Sequence, residues 1–258
     1  MFSFFKKKEK VPSTVTLKPR EEFEDIRQVS KYFHDETGVN FDKQESILKN
    51  KVISFCKQRE LYSFSELLSK IHTDSQLKQE LIDHLTTNET FFYREMKQIL
   101  ELVELVKNTY SSVDILCAPS ATGEEPYSIA ISLLEAGVPE SKFKIVGIDI
   151  NSDAITKAKA ARYKERNIRN LSNDVLNKYF VKEDDIYILK ESIKSMVTFK
   201  VVNIFDDSFK NLGRFDFIFS RNMLIYFDKE TKLKAKAILE SLRKTNEHEV
   251  FFGHADLY

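Results

Sequence analysis

The chain has 258 residues, with 40 basic and 40 acidic side chains, two cysteines and only six glycines. That length allows one large domain or two modest ones and buries a core without disulfide or metal staples. A formal net charge of zero argues against a general nucleic-acid binder, which needs a basic excess or a basic face. Hydrophobic residues at 42% and charged residues at 31% read as a soluble, globular protein. Cys56 and Cys117 lie far apart and outside any CxxC pair, so two reduced cysteines in a cytoplasmic protein are expected and no metal site is. No apolar run reaches the roughly 20 residues that span a bilayer, so no membrane insertion is expected.

In chain order, residues 1–20 carry Pro12, Pro19 and many lysines and read as an irregular arm. Its apolar residues precede its charges, the reverse of a signal peptide. Residues 21–92 form an all-helical domain: Phe23, Ile26, Val29 and Phe33 recur at helical spacing, as do Leu48, Val52, Phe55 and Cys56. A linker helix is expected over 93–110. From residue 111 the pattern changes. Apolar runs at 113–118, 143–149, 196–202, 215–220 and 249–253 read as strands, with helices at 123–134, 152–162 and 229–242 between them. This alternation predicts an α/β fold with a mostly parallel, doubly wound sheet. A small β-subdomain is expected at about 178–196, centred on Ile186-Tyr-Ile-Leu189.

In open α/β sheets, ligands bind beyond the carboxyl ends of the strands, where strand order reverses. The first strand runs into Cys117-Ala-Pro-Ser-Ala-Thr-Gly-Glu-Glu-Pro-Tyr-Ser128, which is neither GxGxxG nor a phosphate-binding loop ending in GK[ST]. Gly123 is expected to let the backbone turn and approach a ligand closely. Gly147 and Gly253 are expected to face the same pocket. Glu124 and Glu125 at a helix start repel a pyrophosphate and suit an ammonium or hydroxyl groups, unless they are ordinary first-turn acids. Asp149, at the end of the second strand, is placed to take ribose hydroxyls or to cap a helix. Asn203 has the donor and acceptor to pair with an adenine edge, and Ile204 the surface to pack on its face. Arg221 and Asn222 at a strand end read as site residues or as a hydrogen-bonded knot. A nucleoside pocket without pyrophosphate chemistry fits S-adenosylmethionine better than NAD.

Four segments together resemble the chemotaxis receptor methyltransferases of the CheR type. They are Thr87-Asn-Glu-Thr-Phe-Phe-Tyr-Arg94, Thr122-Gly-Glu-Glu-Pro-Tyr-Ser128, Gly147-Ile-Asp149 and Arg221-Asn-Met-Leu-Ile-Tyr-Phe-Asp228. Phe252-Gly-His-Ala-Asp256 is similar to the family's late GHSE motif, with Ala-Asp in place of Ser-Glu. The resemblance implies a helical domain joined to a class I, Rossmann-like methyltransferase domain. It also implies methyl transfer from S-adenosylmethionine to glutamate side chains on the cytoplasmic helices of chemoreceptors. Carried over by position, the cofactor contacts fall on Asn88, Thr90, Arg94, Glu125, Asp149, Asn203, Ile204, Arg221 and Asn222. Glu125 is expected to hold the ammonium end and Asp149 the ribose. Tyr226 is expected to line the methyl-transfer pocket and Arg94 to orient the incoming carboxylate; these two are the expected catalytic residues. Members of the family usually continue into a terminal β-hairpin, whereas this sequence ends at Tyr258, soon after the fifth strand; either it is a truncated piece or the sheet lacks its final strands.

Residues 43–59 hold Lys43, Lys49, Lys51, Lys57 and Arg59 against Glu45 alone. This is either a solvated helix face or, as the resemblance implies, a docking face for the receptor's acidic methylation region, with Lys43, Lys51 and Lys57 opposite the apolar stripe. The loop at 181–186 is short and lacks glycine, so dependence on a receptor tether is not expected. A monomer is expected. The competing readings are a non-catalytic S-adenosylmethionine sensor and a methyltransferase of a small molecule or RNA; the absence of an aromatic-basic stripe disfavours RNA.

Overall fold

A computed structural model describes residues 22–256, so the expected arm at 1–20 lies outside the described residues. The N-terminal helices are α1 (Arg27–Thr37), α2 (Glu45–Gln58), α3 (Phe64–Ile71) and α4 (Ser75–Leu85). Side-chain oxygens start two of them: Ser63 accepts from Glu66 N and Asp74 from Leu77 N, satisfying otherwise orphaned first-turn donors. Their apolar stripes close on a core that includes Phe33, Leu48, Phe55, Leu67 and Leu81.

The remaining elements are α5 (Met96–Lys107), β1 (Val113–Cys117), α6 (Glu124–Glu135), β2 (Phe143–Asp149), α7 (Ser152–Ala160), β3 (Arg162–Lys164), α8 (Glu165–Ile168) and α9 (Asn173–Tyr179). After them come β4 (Phe180–Glu183), β5 (Ile186–Leu189), α10 (Glu191–Lys194), β6 (Val197–Val201), β7 (Phe217–Ser220), α11 (Lys229–Ser241) and β8 (Phe251–Phe252). The main sheet has the order β6-β2-β1-β7-β8 and is parallel throughout. The chain moves outward from β1 to β2 and β6, then returns to the far side of β1 as β7. The switch point therefore lies between β1 and β7, the crevice where such folds take ligands. Alternation along β1 sends Val113, Ile115 and Cys117 to a core shared with α5, α6 and α7, and Leu116 to a second core shared with α11.

Three sequence expectations change. The helix expected at 93–110 starts only at Met96, because Tyr93 and Glu95 adopt left-handed φ values of 59° and 49°. It is no bare linker: Ile99, Leu102, Val103 and Val106 are buried in the sheet's core. The helix expected at 152–162 stops at Ala160, and Arg162–Lys164 forms a strand that pairs antiparallel with β5. The small sheet thus has the order β3-β5-β4 and draws on residues before the expected 178–196.

The helical domain is hydrogen-bonded to the sheet domain on both sides of the crevice. Asp83 accepts from Ser152 N at 2.7 Å and from Ser152 Oγ at 2.5 Å, and Gln79 donates to the Ile150 carbonyl at 2.8 Å. On the other side of the crevice, Asn40 N donates to the Tyr226 carbonyl at 2.8 Å and His34 pairs with Asp228 at 2.8 Å.

Candidate active site

A cavity of about 1190 Å³ opens at the β1/β7 switch point, bounded by the strand ends, the segment 85–94 and the start of α2. Asn88, Thr90, Arg94, Glu125, Asp149, Asn203, Ile204, Arg221, Asn222 and Tyr226 all line it, as do Lys43 and Lys51. Gly123 and Lys57 are not among its lining residues.

The floor is a buried ion pair. Arg221 Nε donates to Glu125 Oε2, with side chains 3% and 10% exposed. Arg221 Nη1 also donates to the carbonyls of Arg94, at 2.9 Å, and Glu95, at 3.3 Å. Arg221 lines the cavity and also forms a hydrogen-bonded knot: its guanidinium ties the start of α6, the end of β7 and residues 94–95 into one floor. The same pair leaves Glu125 Oε1 buried and without a hydrogen-bond partner. A bare carboxylate oxygen there is costly unless a ligand donates to it, and an ammonium is the donor that matches its charge.

The two glutamates that open α6 diverge. Glu125 reaches the cavity, while Glu124 is fully buried, accepting from Thr122 Oγ1 at 2.6 Å and Asn167 Nδ2 at 2.8 Å. Burial raises the Glu124 pKa. Gly123 serves α6 too. It starts the helix at φ 92°, and a Cβ there would lie 3.0–3.1 Å from Ala158, Phe199 and Tyr127. Its freedom supports the packing of α6 against Ala158 and Phe199. Gly147 and Gly253 likewise fall outside the lining; a Cβ on Gly147 would strike the Phe199 ring at 2.8 Å.

Asp149 ends β2 with each oxygen held by one backbone N–H: Oδ1 by Asn151 and Oδ2 by Ala121, both at 2.9 Å. Burial pushes its carboxyl up to about 6, against the pull of those two N–H groups. Each oxygen keeps a lone pair for a hydroxyl. Ile204 lines the wall with Ile148 and Val202, an apolar surface suited to a nucleobase face. Asn203 is more committed than expected: Nδ2 donates to the Glu36 carbonyl at 2.6 Å and Oδ1 accepts from Phe205 N at 3.0 Å. One N–H and one lone pair remain to it.

Sequence matching at this point decides the family. The family model described as CheR methyltransferase, SAM binding domain, matches residues 88–257, and the one described as CheR methyltransferase, all-alpha domain, matches residues 24–86. The chain belongs to the CheR methyltransferase family. It is 35% identical over 236 residues to the "Chemotaxis protein methyltransferase" of Campylobacter jejuni subsp. jejuni serotype O:23/36 (strain 81-176), covering 90% of this chain and 88% of that one. It is 30% identical over 249 residues to the protein of that name in Borreliella burgdorferi, with the same coverages, and 29% identical over 215 residues to that of Salmonella typhimurium, covering 80% and 75%. As a CheR methyltransferase, its cofactor is S-adenosylmethionine. The acceptor oxygen left on Glu125, the cradled Asp149 carboxylate and the apolar wall at Ile204 fit that group.

In this CheR family member, sequence reading also missed residues that shape the site. Ser120 lines the cavity with a buried, unpartnered hydroxyl. Glu95 accepts from Asn222 Nδ2 at 3.4 Å and from His254 N at 3.1 Å. Asp256, the acid of the altered GHSE-like motif, is buried and accepts from the backbone N–H groups of Asn222, Gly253 and Ile225. It holds Asn222 at φ 60° and with it the 222–226 loop. The altered motif was visible in sequence; its hydrogen bonds were not. Arg94 donates from Nη1 to the Glu89 carbonyl at 3.3 Å, between two left-handed residues. Tyr226, 40% exposed, stands at the mouth, and partial burial raises its phenol pKa. No helix among the described residues is long and apolar enough to cross a membrane.

Proposed function

We propose that this chain methylates glutamate side chains on the cytoplasmic helices of methyl-accepting chemotaxis receptors, giving glutamyl methyl esters and S-adenosylhomocysteine. The reading places the enzyme in the cytoplasm, acting as a monomer. The observation that carries it is the polarity of the cavity. Its buried floor presents the carboxylates of Glu125 and Asp149, and its mouth presents Lys43, Lys51 and Arg94. An acidic floor suits a cationic cofactor, and a basic mouth suits an acidic protein.

When bound, S-adenosylmethionine supplies an electrophilic methyl group on a sulfonium. Glu125 Oε1 takes the ammonium end of that cofactor, Asp149 its ribose hydroxyls, and Ile204 with Asn203 its base. Asn88, Thr90 and Asn222 complete the lining around it. Arg221 holds Glu125 in place from behind. A glutamate with an ordinary pKa of about 4.3 is anionic near neutrality, so the chain needs no general base. Arg94 orients the incoming carboxylate through its guanidinium fork. Tyr226, kept protonated, closes the mouth and excludes water from the carboxylate, leaving it less solvated and better placed. Lys43, Lys51 and, further along α2, Lys57 draw the acidic segment in.

The test is incubation with methyl-labelled S-adenosylmethionine and receptor-bearing membranes. Label released by mild alkali from the receptor band supports a glutamyl ester. Alkali-stable label, or label on RNA or a small molecule, sinks the reading.

A further inference from the structure

Besides Lys43 and α2, helix α11 contributes a lysine-bearing wall to the cavity mouth. Lys229, Lys232 and Lys236 are spaced i, i+3 and i+7 and all line the cavity, so they form one stripe along the helix. The stripe flanks the face that buries Ala235 and Leu239. Lys229 occupies the first turn, where the helix dipole disfavours a cation; helix stability does not account for a lysine there. Lys236 Nζ stands 5.1 Å from the Phe252 ring centroid, a contact that orients the ammonium and leaves its charge in place.

The same mouth exposes two aliphatic side chains, Ile47 at 51% and Ile225 at 44%. The cavity, at about 1190 Å³, exceeds the roughly 300–1,000 Å³ of small-molecule sites, so it has room beyond one cofactor. Two lysine walls with aliphatic surface at the same opening match an amphipathic helix whose apolar stripe is flanked by carboxylates. Isolated isoleucines offer a nucleic acid neither base stacking nor phosphate contacts.

We propose that Lys229, Lys232 and Lys236 form a second docking wall, which takes carboxylates of an acidic amphipathic helix of the protein substrate while Lys43 and Lys51 take others. This rests on the substrate reading above. The second wall fixes the helix's rotation about its axis, and so selects which glutamate enters beside Arg94.

The experiment compares the full-length wild type with Lys229→Glu/Lys232→Glu/Lys236→Glu, and with the neutral Gln triple variant. Each is assayed on a soluble helical chemoreceptor fragment across ionic strengths, and each is tested for S-adenosylhomocysteine binding by calorimetry. The expected result is a KM raised about tenfold, a shallower salt dependence and an intermediate Gln variant, as for loss of steering charges. Product affinity within about twofold of wild type shows in the same samples that the fold and floor survive. Unchanged KM and salt slope in a Glu variant that binds product overturns the second wall alone. A wild type that leaves the fragment unmethylated overturns the substrate reading and this proposal together. Unchanged KM with lost binding of a duplex RNA probe overturns it in favour of a nucleic-acid surface. If the Glu variant does not bind product, the Gln variant decides: a raised KM supports the wall and an unchanged KM overturns it.

Discussion

Asp256 Oδ2 accepts a 2.5 Å hydrogen bond from the backbone N–H of Asn222. Further bonds run from Gly253 N to Oδ2 and from Ile225 N to Oδ1, so one buried carboxylate sets the loop that carries Tyr226. Asp256 is a positioning residue. Asp256→Ala is expected to lower kcat more than it raises the product Kd, and to cost about 1–3 kcal/mol of stability through unmet buried donors. Asp256→Glu, which restores the acid type of the family motif, should recover most of kcat. Steady-state kinetics with denaturant unfolding checks both; equal losses in Ala and Glu variants would count against positioning.

Glu125 and Arg221 form one unit and should behave as one. Glu125→Gln is expected to weaken S-adenosylhomocysteine binding by about 1.5–3 kcal/mol, roughly ten- to a hundredfold. It should also destabilise the fold, because the Arg221 guanidinium loses its buried partner. The double variant Glu125→Gln/Arg221→Gln should cost less than the sum of the single changes. Calorimetry and thermal unfolding on the four proteins check this.

Asp149 gives a pH dependence with a defined sign. Its folded-state carboxyl is raised from 3.8 to about 6, so the ligand-free fold binds this proton more tightly than the unfolded chain does. Its contribution therefore strengthens the free protein as pH falls from about 7 toward 4. Ribose hydroxyls donate best to the ionised carboxylate, so cofactor affinity should be flat above pH 6 and decline below it. Asp149→Asn should bind weakly and lose that break. Titration of Kd against pH checks it.

Lys43 and Lys51 line the mouth and Lys57 does not. Charge reversal at Lys43 or Lys51 should therefore raise KM for a receptor fragment more than reversal at Lys57. The effects should shrink as ionic strength rises and the Debye length falls below about 8 Å. Equal effects at all three positions would mean that a diffuse helix field, not the cavity mouth, attracts the substrate.

The parallel sheet was legible because its strands are apolar runs separated by helical periods. β3 was not: Arg162-Tyr-Lys164 is three residues long, with two charges exposed, and becomes a strand only by pairing with β5. The floor was half legible. Helix-start position marked Glu125 and strand-end position marked Asp149 and Arg221, yet no local signal says that Arg221 spends its donors on Glu125 and the 94–95 carbonyls. The packing role of Gly123 was hidden for a similar reason: its tight turn was readable, but the crowding by Phe199 and Ala158 arises from elements distant in sequence. Helix α5 began late because backbone conformation at Tyr93 and Glu95, set by the floor's hydrogen bonds, overrode an uninterrupted helical pattern.

The most direct measurement is mass-spectrometric mapping of a receptor fragment after a single turnover with S-adenosylmethionine, read before and after alkali. Methyl groups confined to glutamate side chains of one helical region, and lost in alkali, are the expected result. Methylation that survives alkali, or that falls on lysine or on no residue of the fragment, would contradict an acidic floor and basic mouth built for glutamyl transfer.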